Sequence, residues 1–169
     1  MRRPLIQEYT SYHAQYIENV PGGDPLHALE RQVEEALQLL ASLPEERGGF
    51  RYAPGKWSLK EVFGHVIDTE RIFTTRCLAF ARGEEQALPG FDQDAYVARA
   101  GFDRRSLASL GEELRAVRSA SLTLFRSLGE EEWSRTGVAC GNRLTVRVFP
   151  WLAAGHERHH LQVLRQRYL

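Results

Sequence analysis

The sequence predicts an all-α protein, a four-helix bundle. Long apolar stripes with helical spacing recur four times along the 169 residues, and almost no segment alternates apolar with polar as a half-buried strand would. A length of this order suits one domain, expected over residues 1–169, with a core that removes roughly two-thirds of the unfolded surface from water. Hydrophobic residues at 43% and charged residues at 26% are ordinary for a globular chain, so extended disorder is not expected.

The first long helix lies in "GGDPLHALERQVEEALQLLASLPEE". Asp24 is a good N-cap and Pro25 suits the first helical position, where its missing N–H costs nothing. Leu26, Leu29, Val33, Leu37 and Leu40 then share one face, and Pro44 with Gly48-Gly49 ends the run. The second has the clearest start, in "KWSLKEVFGHVIDTERIFTTRCLAFARG". Ser58 and Glu61 make an S-x-x-E capping box, with Trp57 placed to staple the entry. Val62, Val66, Thr69, Phe73, Cys77 and Phe80 form its stripe, and Gly83 closes it. A long polar connection follows, with a turn at Pro89-Gly90. It can cross the bundle, so a simple up-down-up-down order is not forced.

Asp103 is expected to cap the third helix, whose inward residues are Leu107, Leu110, Leu114, Val117, Leu124 and Leu128. Gly111 weakens it by about 1 kcal/mol against alanine. The fourth runs from about Thr145 to the end, with a local bend expected at Pro150. Short extended pieces are expected near Phe50–Tyr52 and Arg135–Val138, and "EYTSYHAQYIENV" reads as a short helix against the outside of the bundle.

Charge narrows the function classes. Lys+Arg and Asp+Glu are equal at 22 each, and no aromatic stripe interleaves with basic residues, which argues against nucleic acid and anionic membranes as partners. No run approaches the ~18 apolar residues of a membrane span. Met1-Arg2-Arg3 leads into "PLIQEYTSYH", which has no apolar signal region, and Cys77 and Cys140 lie far apart without C-x-x-C spacing. Two free thiols in a reducing, cytoplasmic setting is the simplest expectation.

Chemistry is concentrated in the histidines. Three of the six, His156, His159 and His160, fall within "GHERHH". Each helical residue advances about 100°, so His156 and His160 share a face and can reach one metal ion. The row through His160 contains Phe149, Ala153, Val163 and Leu164 and reads as core-facing; the row through His159 continues to Gln162 and Gln166 and reads as rim. An H-x-x-x-H pair alone is weak, because a satisfied helix-surface pair gives the same spacing, and a metal site needs a third ligand. His65, mid-helix between Val62, Thr69 and Ile72 with Gly64 beside it, is either that ligand or a core histidine with one hydrogen bond.

The stretches "YAPGKWSLKEVFGHVIDTERIF", "LPGFDQDAYV" and "AGHERHHLQVL" resemble the DinB-like superfamily, in particular its metal-dependent hydrolase and thiol-transferase branch, over nearly the entire chain. The resemblance implies a four-helix bundle of up-down-down-up topology, commonly a homodimer. It also implies one divalent metal ion, often zinc or nickel, held by three histidines, which by position are His65, His156 and His160.

Three neutral imidazoles leave the metal its full charge and an open position. Such a metal can lower the pKa of water toward ~7 for hydrolysis, or deprotonate a low-molecular-weight thiol for transfer to an electrophile. Thiol transfer is the favoured expectation, with hydrolysis and a non-catalytic, stress-associated metal-binding protein as alternatives. No general base is evident. Asp68, Glu61 and Glu157 are candidates for orienting a ligand histidine, and each is also an ordinary helix charge. Asp92, Asp94 and Tyr96 could line a pocket mouth or serve as caps, and Trp57 and Trp151 read as core or staple residues.

Overall fold

A computed structural model describes all 169 residues. The chain opens with a short helix, α1 (Ser11–Ile17), followed by α2 (Pro25–Ser42) and α3 (Leu59–Ala81). The connection after α3 carries α4 (Gln93–Ala100) and leads to α5 (Leu107–Arg126). A short α6 (Glu130–Ser134), a hairpin of β1 (Thr136–Ala139) and β2 (Asn142–Thr145), and α7 (Val148–Arg167) complete it. No helix is long and apolar enough to cross a membrane.

Local signals set most boundaries. The Asp24 carboxylate accepts from Leu26 N–H at the start of α2. The Ser58–Glu61 capping box forms in full: Glu61 N–H donates to Ser58 Oγ at 3.0 Å and Ser58 N–H to Glu61 Oε2 at 2.7 Å. Asp92 caps α4, accepting from Asp94 and Ala95 N–H. The expected cap of the third long helix moves, however. Ser106 caps α5 through Ser109 N–H, while the Asp103 carboxylate accepts from Ser58 Oγ at 2.5 Å and pairs with Arg51 at 2.6 Å. Two cap-competent residues lie three apart, and the outer one is held by partners on the far side of the bundle.

The start of the fourth long helix also differs. Thr145 ends β2, and α7 begins at Val148 and is continuous through Pro150, which lies in the first turn where an N–H has no helical partner. β1 and β2 pair antiparallel with Thr136 opposite Thr145. Their two-residue turn, Cys140-Gly141, has φ of +53° and +75°, as a tight hairpin requires. Phe50–Tyr52 forms no strand.

Adjacent long helices are α2–α5, α5–α3, α3–α7 and α7–α2, so α2 and α3, consecutive in sequence, sit across the diagonal. Ser58 just before α3 bonds Asp103 just before α5, and Glu70 farther along α3 meets Arg118 of α5, so these two helices run in the same direction. Phe80 near the end of α3 packs on Phe149 at the start of α7. Glu45, after α2, accepts from Leu107 N–H at the start of α5. Those pairs are antiparallel, and the result is an up-down-down-up four-helix bundle.

The core falls into two apolar clusters. One gathers Ile17, Phe80, Phe125, Phe149 and Trp151; the other gathers Phe63, Leu110, Leu114, Leu161 and Leu164. At mid-height a layer of buried polar residues separates them: Gln32, His65, Glu70, Arg118, His156 and Glu157. As expected of a short helix against the outside of the bundle, α1 packs along α7, with Ile17 fully buried. Both cysteines are free, Cys77 buried and Cys140 exposed.

Candidate metal centre

His65 lies in the second turn of α3, its backbone fixed by the Ser58–Glu61 cap and its flank by Gly64, where a Cβ would stand 2.4 Å from the Phe102 ring. His156 and His160 lie one turn apart on α7. Because α3 and α7 are antiparallel neighbours, the three rings meet. His65 Nε2 and His156 Nε2 are 3.1 Å apart, and His160 Nε2 and His156 Nε2 are 3.2 Å apart. The ring centroids form a nearly regular triangle, with separations of 4.9, 4.9 and 4.5 Å.

All three rings are held in the neutral form that binds metal. Burial lowers His65 to about 4 and, with the neighbouring imidazoles, His160 to about 3. Burial first, then the charges of His160, His65 and His159, puts His156 well below the ordinary histidine range.

The donor set fits a divalent cation. Ligands about 2.0–2.1 Å from a tetrahedral ion stand about 3.3 Å from one another, close to the spacing of these nitrogens. Three imidazole lone pairs facing one point repel unless a proton or a cation lies between them, and these rings resist protonation. No fourth histidine, cysteine or carboxylate joins the group, which leaves a coordination position for a small molecule.

His159 is half-buried, with its ring edge-on to Tyr16 and His160, and lies outside the cluster, as the face assignment on α7 expects. The acidic candidates do not reach the imidazoles. Asp68 lies 3.6 Å from Arg71, Glu61 is the capping-box partner, and Glu157 is bound by Arg118 at 2.6 Å. The group on His65 is instead Thr69, whose Oγ1 stands 3.4 Å from Nδ1. Its signal was present in sequence as the i+4 spacing from His65. Asp94 and Tyr96 are solvent-facing on α4, and Trp151 is fully buried in the apolar half, as a core residue.

Aromatic residues wall the cluster. Trp57 tilts against His65 with centroids 4.7 Å apart, Tyr16 stands 5.5 Å from His156, and Phe73 stands 5.9 Å from His156. Trp57 therefore does more than staple a helix entry. A surface groove of about 510 Å³ lies elsewhere, between α2 and α5, and none of the three histidines lines it.

Comparison with known proteins agrees with this architecture. No curated protein matches the chain in sequence. Among solved structures, YfiT from Bacillus subtilis, described as a probable metal-dependent hydrolase with an unusual four-helix bundle topology, superposes with a TM-score of 0.71 at 14% identity, covering 98% of this chain and 93% of that one. A mycothiol-dependent maleylpyruvate isomerase superposes with a TM-score of 0.67, also at 14% identity, covering 86% of this chain and 61% of that longer one. At such identity the likeness speaks for the fold. The sequence pattern of the DinB superfamily matches residues 28–164, from α2 through most of α7, and the chain belongs to that superfamily.

Proposed function

We propose that the protein is a divalent-metal enzyme that activates a low-molecular-weight thiol for transfer to an electrophile, with His65, His156 and His160 holding one zinc or nickel ion. The observation that carries this reading is the meeting of three neutral imidazoles, two buried and His160 half-buried, with no fourth protein ligand. An imidazole set suits both metals. The bound ion supplies positive charge that favours the deprotonated form of a thiol or a water.

The surroundings favour the thiol. A thiol begins near pKa 8.5 and needs only a modest shift to ionise at neutral pH, with no side chain to take its proton. Water starts far higher and gains from a positioned base. Here the nearest acidic residues are engaged elsewhere, Asp68 beside Arg71 and Glu157 with Arg118. The walls offered by Trp57, Tyr16 and Phe73 are apolar and suit a soft sulfur ligand. The mycothiol dependence of one structural neighbour agrees with this choice, and the hydrolase description of the other keeps hydrolysis as the second reading. A half-buried His160 beside an open coordination position argues against a purely structural ion. The same reading has the chain working as a cytoplasmic homodimer.

The test combines metal analysis with turnover. Purified protein reloaded with zinc or nickel should carry about one ion per chain. His65→Ala, His156→Ala and His160→Ala should each lose it, while His159→Ala should keep most of it. Loaded protein, offered a panel of bacterial thiols with a model electrophile, should consume thiol and electrophile together. Ester or amide hydrolysis without thiol consumption would move the assignment to a hydrolase. Equal metal loss in all four variants would overturn the ligand set.

A further inference from the structure

A cavity of about 160 Å³, room for about five water molecules, lies between the chain after α1, the first turns of α2 and α7. From α7 it takes Arg158, which is two residues from His156 and two from His160 and so stands about 160° around the helix from each. From α2 it takes Arg31 and Gln32, and at the entry to that helix Asp24. None of the three histidines lines it. Its charge is unbalanced. Glu34 pairs with Arg115, Glu30 with Arg126 and Glu35, which also lines the cavity, with Arg165, so Arg31 and Arg158 are left without a carboxylate. Gln32 is 4% exposed, and its Nε2 donates to Ala154 O at 3.0 Å. That bond fixes the orientation of the amide and leaves Oε1 buried without a partner. An unmade buried acceptor is costly, and beside a cavity it marks a place for a donor. The Asp24 carboxylate commits Oδ1 to Leu26 N–H and keeps Oδ2 as a further acceptor. Two free cations and two free acceptors around one small space suit an anion that carries its own O–H.

We propose that this cavity is a binding site for hydrogen phosphate, separate from the metal centre and independent of the thiol-transfer reading. The guanidiniums of Arg31 and Arg158 hold oxyanion oxygens through charge-assisted hydrogen bonds. The positive end of the α2 dipole adds to them. The P–OH group donates to Gln32 Oε1. Sulfate has the same shape and a similar charge but no hydrogen to donate, so it meets the same acceptors as a repulsion. The site thus separates two oxyanions that charge alone does not.

Isothermal titration of the full chain at pH 7 tests this, with inorganic phosphate and with sulfate at matched ionic strength. In chelator-treated protein one phosphate per chain is expected, bound about 10-fold more tightly than sulfate, and zinc-loaded protein should keep that site. Arg31→Gln and Arg158→Gln change side chains that reach solvent. Each should weaken phosphate about 10-fold with an unchanged midpoint in urea unfolding. Gln32→Met should narrow the preference over sulfate. Arg115→Gln removes an exposed arginine of α5 outside the cavity and should change nothing. Four results overturn the proposal: no saturable phosphate binding, equal affinity for the two anions, uptake only in zinc-loaded protein, or equal weakening in Arg115→Gln and Arg158→Gln. A folded Gln32→Met variant that keeps the full preference overturns it as well.

Discussion

His65 is engaged at both ring nitrogens, Nε2 toward His156 and Nδ1 toward Thr69 Oγ1. A hydroxyl that accepts from Nδ1–H fixes the tautomer and leaves the Nε2 lone pair free for a cation, and such outer partners typically carry 10–100-fold in metal affinity. Thr69→Val keeps the shape of a side chain that is only 3% exposed and removes the acceptor. Zinc affinity, measured by competition with a chelator, should fall about 10-fold in Thr69→Val and recover in Thr69→Ser; unchanged affinity in the valine variant would mean that Thr69 only fills space. Sequence reasoning reached the three imidazoles because a helix makes i and i+4 coincide, and it separated His159 from His160 by the company of their rows. It passed over Thr69 in favour of Asp68, since a carboxylate is the stronger acceptor on paper. Asp68 is drawn toward Arg71 instead, and only the packed structure shows that.

At the scale of elements, α1 shows how a short segment is held. Seven residues are too few for a stable isolated helix, so "EYTSYHAQYIENV" reads as a short helix that must pack against the outside of the bundle, and it does, along α7. The complementary signal lay far away, at Gly155. A Cβ there would stand 1.9 Å from the Tyr16 carbonyl oxygen, a backbone atom that cannot swing aside. The missing side chain lets α1 lie directly on α7 and bring Tyr16 to the rim of the histidine cluster. Gly155→Ala should therefore push α1 outward and cost about 1–3 kcal/mol, as overpacking does, measured as a lower midpoint in urea unfolding. Zinc binding should persist, because α1 contributes no imidazole to the cluster. Loss of zinc with unchanged stability would contradict this division of labour. The Ser58–Glu61 capping box was legible because its chemistry is local, whereas the hairpin through Cys140-Gly141 was not, its second strand lying where the fourth helix was expected to begin. The move of Asp103 to Ser58 and Arg51 was not legible either, because it depends on partners 45 and 52 residues away.

The whole molecule turns on Arg118. From α5 its guanidinium donates to Glu70 on α3 at 2.9 and 2.8 Å, to Glu157 on α7 at 2.6 Å and to Leu29 O on α2 at 2.6 Å, so one side chain joins all four bundle helices. Arg118 is 1% exposed and occupies the polar layer between the two apolar halves, beside the level of the histidines. Its register with Leu114 and Ser121 already marked an inward position, but an arginine among helix charges reads as solvated until its partners are known. Burial alone disfavours charge here. It raises the pKa of Glu157, and the attraction of Arg118 works against that rise. Removing the cation leaves two buried carboxylates facing each other, which typically costs about 3–5 kcal/mol, a large share of the ~5–15 kcal/mol that holds a domain of this kind together. Arg118→Met should lower stability by that amount in denaturant unfolding. Replacing all three charges at once, as Arg118→Met, Glu70→Leu and Glu157→Met, should restore most of it, because an apolar layer of similar volume needs no pairing. The triple variant also separates stability from ligation: it leaves His65, His156, His160 and Thr69 in place, so a restored fold should still take up zinc. A triple variant no more stable than Arg118→Met would show that the guanidinium acts through shape and the Leu29 carbonyl bond rather than through compensation of charge.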